Sequence, residues 1–86
     1  MVTTSSYELS AEYPNRRRNE WLTTLFCYDD QQELVVSITT ADSDIQVALE
    51  RVFRTARLAL EALEERQLLL DVDGCLVRYG DVIVSG

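Results

Sequence analysis

The chain has no histidine and no lysine, and only three glycines, one proline and two cysteines among its 86 residues. Each shortage removes a class of chemistry. Without histidine there is no Ser-His or Cys-His nucleophile pair, and the commonest metal ligand is missing. Without lysine there is neither Schiff-base chemistry nor the phosphate-binding lysine of a P-loop. Gly74, Gly80 and Gly86 make no glycine-rich nucleotide loop. No apolar run approaches the roughly 20 residues that a bilayer-crossing helix needs. The opening MVTTSSYELS has neither the basic start nor the apolar centre of a signal peptide. With Cys27 and Cys75 as the only cysteines, a cytoplasmic, reducing setting is expected.

What is present is acid. Fifteen carboxylates stand against eight cations, all arginine, for a formal charge of −7. Bare nucleic acid is therefore not expected as a direct ligand. Arg16, Arg17 and Arg18, in PNRRRN, are the only basic cluster and read as a solvated turn balancing an acidic surface. The length allows one domain, residues 1–86, with one modest core and a frayed start at 1–4.

The strongest pattern lies between Ser43 and Arg66. Ile45, Leu49, Val52, Ala56, Ala59 and Leu63 recur at spacings that keep them on one side of a helix. Ala48, Phe53 and Leu60 flank that line and widen it into a core-facing surface. Ser43 with Gln46 three residues on predicts a capping box. Ahead of the helix, Ser5–Tyr13 alternates, placing Tyr7, Leu9, Ala11 and Tyr13 on the buried side of an edge strand. Glu20–Tyr28 and Glu33–Thr40 read as a hairpin; pairing Tyr28 with Glu33 puts Trp21, Leu25, Cys27, Leu34, Val36 and Ile38 against the helix. After the helix, turns at Asp73-Gly74 and Gly80-Asp81 predict a three-strand meander. Both turns agree on one apolar face, Leu68, Leu70, Val72, Cys75, Val77, Tyr79, Val82 and Val84. The expected fold is α+β, an antiparallel-rich sheet in the order β-β-β-α-β-β-β with one long helix across one face.

Residues 68–77, LLLDVDGCLV, place an apolar strand before Asp-x-Asp-Gly. This stretch resembles the first motif of the haloacid dehalogenase-like phosphatases. The resemblance implies a phosphoryl-accepting Asp71, an acid-base Asp73, and Cys75 near the family's usual threonine. That family also uses a lysine, which is missing here, and an Asp-Gly hairpin accounts for the same residues. As a calcium loop the motif lacks its bidentate glutamate, since position 82 is valine. Cys27 and Cys75 are expected in the core as small apolar residues, so no metal or other cofactor is predicted.

Two surface features remain. Leu22, Phe26, Tyr28 and Val35 make the second sheet face unusually apolar, and Val47 and Leu58 lie away from the helix's core stripe. Asp29, Asp30, Asp42, Asp44, Glu61, Glu64 and Glu65 gather at turns and helix ends, the three glutamates where the helix dipole disfavours them. The first feature suggests a homodimer or partner face, the second a negative surface for a basic or nucleic-acid-binding protein. The expectation is a non-enzymatic protein that inhibits or regulates another protein, without membrane attachment. Size and charge are those of phage or mobile-element inhibitors of the anti-CRISPR-like or DNA-mimic-like kind. A homodimeric assembly or chaperone-like subunit is the alternative, and a phosphatase-like fragment a remote one.

Overall fold

A computed structural model describes residues 4–13, 19–67, 71–72 and 74–80. It is an α+β fold built from β1 (Ser6–Glu12), β2 (Trp21–Tyr28), β3 (Leu34–Asp42), α1 (Ile45–Glu64), β4 (Asp71–Val72) and β5 (Cys75–Arg78). The strands form one antiparallel sheet in the order β1-β2-β3-β5-β4, and α1 lies on one face over β2, β3 and β5. The expected third strand of the meander, with Val82 and Val84, lies outside the described residues. So do Leu68, Leu70, Asp73 and the Arg16–Arg18 cluster.

Two consecutive aspartate turns join β3 to α1. Asp42 Oδ1 accepts from the Asp44 amide at 2.8 Å, and Asp44 Oδ1 accepts from the Gln46 amide at 2.9 Å. Asp44, not the expected Ser43, is therefore the N-cap. A carboxylate also suits the positive end of the helix better than a hydroxyl. At the other end Gln67 N–H reaches the Ala62 carbonyl at 2.8 Å and Arg66 N–H reaches Leu63 at 3.0 Å. With Arg66 at φ 60° this is a Schellman stop, made without the usual glycine.

The hairpin register differs from expectation. Asp29 N–H donates to the Glu33 carbonyl and Gln32 N–H to the Asp29 carbonyl, so the turn closes on Asp29 and Glu33 with Gln32 at φ 64°. The Asp29 carboxylate braces it, accepting from the Gln31 and Glu33 amides. Tyr28 pairs with Leu34 and Cys27 with Val36, a bulge that leaves Val35 over. A Tyr28–Glu33 pair would have matched Leu25 to Val36; Leu25 instead faces Ile38, two residues further on. Because the shift is even, Leu25, Cys27, Val36 and Ile38 keep the helix face, all fully buried. Only the bulge residues change. Leu34 pairs with Tyr28 on that residue's side, and Val35 packs against the core.

The rest of the core comes from Ala48, Val52, Ala56 and Ala59 on α1 and from Cys75, Val77 and Tyr79. The Val72–Cys75 pair confirms the expected register of the first meander turn. Small residues on the helix let it sit close to the sheet. Thr23, Thr40 and Thr55 are buried too, and their hydroxyls find no partner among the described residues.

Gly80 is held at φ 51°, and a Cβ there would stand 3.0 Å from the Leu34 carbonyl oxygen at the bulge. Gly74, at φ 75°, has open space. We expect Gly80→Ala to cost about 2 kcal/mol and Gly74→Ala about 1 kcal/mol, because the first adds a contact to the left-handed strain that both share. Urea midpoints of the two variants check the order.

Candidate interaction surface

The helix covers less of the sheet than the sequence pattern suggests. An α-helix is about 10 Å across and strands lie about 4.8 Å apart, so one helix roofs about two strands. Seated over β2 and β3, α1 leaves β1 without a roof. The Tyr7–Cys27 and Leu9–Leu25 pairs show that Tyr7 and Leu9 face the helix side as expected, yet they are 57% and 45% exposed. Tyr13 is likewise exposed, its ring tilted by 43° against that of Trp21 with centroids 4.1 Å apart. β1 is the edge strand expected, but its helix-side face is not buried, because no second layer lies above it.

Phe53, expected to flank the core, is 50% exposed. The buried face is centred on Ala48, Val52, Thr55 and Ala59, which rotates Phe53 toward β1. Between β1 and α1 runs a trough of about 280 Å³ lined by Tyr7, Leu25, Phe53, Ala56, Arg57 and Leu60. Leu25 and Ala56 are its floor, and the other four form its walls. The signal in the sequence was the spacing Phe53, Ala56, Arg57, Leu60, which reads equally as the edge of a core stripe. Val47 and Leu58 lie on the opposite flank of α1 and are half-buried.

The seven acids separate into two groups. Asp29, Asp42 and Asp44 hold backbone turns, and Asp42 also pairs with Arg51 at 3.1 Å. Their placement is accounted for by the fold. Asp30, Glu61, Glu64 and Glu65 are exposed and have no such task. Leu60, near the C-terminal end of α1, shares a trough with Tyr7, which pairs with Cys27 beside the β2–β3 turn, so this end of the helix lies toward that turn. Those four acids, together with Glu33, which the sequence reading passed over, therefore share one end of the molecule.

The sheet face away from α1 carries Leu22, exposed, and Phe26 and Tyr28, half-buried. Tyr28 donates its hydroxyl to Glu8 at 3.1 Å; partial desolvation and this carboxylate raise the phenol above its usual range. Thr24 and Thr39 bond to each other across the same face, which makes it more polar than its sequence suggests.

Among the described residues no group of His, Cys, Asp and Glu could hold a metal ion. Both cysteines are free and buried. Burial pushes the Cys27 thiol up to about 11, away from a reactive thiolate. We expect Cys27 to resist thiol reagents at neutral pH until the chain unfolds. The raised value also means that folding stability falls as pH climbs from about 9 toward 11. The side chains of Asp71 and Asp73 lie outside the described residues. No helix among the described residues is long and apolar enough to cross a membrane. The sequence matches no protein-family model, and no curated protein or solved structure matches it.

Proposed function

We propose that this chain is a non-enzymatic binding protein that docks on a basic protein and inhibits or regulates it. The observation that carries the reading is the set Asp30, Glu33, Glu61, Glu64 and Glu65, all exposed, whose carboxylates, unlike those of Asp29, Asp42 and Asp44, hold no turn or cap among the described residues. Three of them oppose the helix dipole, so local folding does not call for them. A surface of this sign attracts basic partners and speeds their encounter. A nucleic-acid-binding protein, whose own site is basic, is the partner class this favours. Covering that site is how a phage or mobile-element inhibitor of the anti-CRISPR-like or DNA-mimic-like kind would act.

The test is affinity capture from native lysate with and without nuclease. Retention of a basic protein after nuclease, and its binding to the purified chain in solution, is expected. Recovery of the bait alone, with a solution mass of two chains, would transfer the reading to a homodimeric assembly or chaperone-like subunit. Exposed Leu22 and Leu76 on the uncovered sheet face favour that second reading.

A further inference from the structure

We propose that the trough between β1 and α1 is the seat of an amphipathic α-helix from a basic protein partner. The inference rests on the function proposed above and gives it a site. Shape comes first. The sheet has room for a second helix beside α1; the exposed side chains of Tyr7 and Phe53 line the trough, and Leu9 is exposed on the same face of β1. The seven residues of β1 span about 23 Å, the length of about 15 helical residues. Exposed aromatic anchors around a concave apolar floor are what a helix-in-groove contact uses.

Charge then selects the occupant. Glu50, Glu61 and Glu64 are exposed along the outer wall of α1; Glu8 and Glu12 on β1 pair with Phe26 and Leu22, face the other side of the sheet and take no part. The complementary helix has an apolar stripe at i, i+3, i+4 and i+7 flanked by Lys or Arg. Arg57 is the exception. It lines the trough and makes no ion pair among the described residues, so it accommodates one acid on the incoming helix. A second copy of this chain fits poorly. It brings another formal charge of −7, and among the described residues its other exposed large apolar side chains are Leu22 and Leu76 on a flat sheet face and Tyr13 just past the end of β1, none on a helical ridge.

The probe is a labelled peptide of about 16 residues made only of leucine and lysine with helical periodicity. Its control has the same composition in scrambled order. Fluorescence anisotropy at physiological salt should show saturable binding of the first peptide and at least about tenfold weaker binding of the second. Phe53→Asp should weaken the first peptide at least about tenfold, and Tyr7→Ser should weaken it independently. Leu76→Asp, an equally exposed change on the other sheet face, should not. Both altered residues on the trough are at least half exposed, so the variants should keep the wild-type circular dichroism. Equal binding of the scrambled peptide, or equal loss in Leu76→Asp, would overturn the proposal. A wild-type dimer made monomeric by Phe53→Asp would also overturn it, by seating a second copy. If Phe53→Asp still binds the captured basic protein at full strength, the seat is wrong and the regulatory reading stands. If the wild-type chain binds no basic protein, that reading itself fails.

Discussion

Replacing Glu61, Glu64 and Glu65 together with lysine should abolish partner binding and at the same time make the protein more stable. The two effects have one cause. The C-terminal end of a helix carries a partial negative charge, and no basic residue occupies the last turn of α1. Lysines there would satisfy the exposed carbonyls' field, raising the melting temperature by a few degrees in a domain this small. Binding should move the other way. Three reversed charges facing a basic partner should lower affinity by at least about thirtyfold, mainly where salt is low enough to leave the field unscreened. Calorimetry of the folding transition and a binding isotherm on the same preparation test both signs. A variant that melts higher and still binds at full strength would remove the acidic end from the function.

Leu25→Ala should be the most damaging single change to the fold, costing about 3 kcal/mol. Leu25 is fully buried, pairs with Leu9 on one side and Ile38 on the other, and also forms the floor of the trough. Its loss leaves a cavity under α1 that small neighbours such as Ala56 and Ala59 cannot fill. Domains of this size have about 5–10 kcal/mol of total stability, so the melting temperature should fall by about 15 °C. Leu76→Ala, at a residue 59% exposed, should change it little. Equal effects at the two positions would mean that the sheet has been assigned the wrong buried face.

How much of this was legible in the sequence can be followed residue by residue. The alternation in β2 and β3 placed Leu25, Cys27, Val36 and Ile38 together, and they are together even though the pairing slipped by two. A side-chain period of two tolerates an even slip, so face assignment is more robust than register. The bulge at Cys27 and Tyr28 was not legible, because it arises where the Asp29-braced turn meets the ladder and has no residue signature of its own. Asp44 and Ser43 are both good caps, and only the backbone path out of β3 chose between them.

The sequence by itself determined the order and kind of the described elements, the composition of the core and the excess of acid. These depend on neighbours along the chain, on periodicity and on counting. It also restricted the chemistry, since residues that are absent cannot act. Tertiary structure alone decided where the apolar surplus lies. The sequence pointed to Leu22, Phe26, Tyr28 and Val35; the fold gave Val35 to the core and tied Tyr28 to Glu8. It exposed Tyr7, Leu9 and Phe53 instead. The reason is geometric. An apolar face on a strand is buried only if another layer lies above it, and one helix is too narrow to cover a sheet of this width.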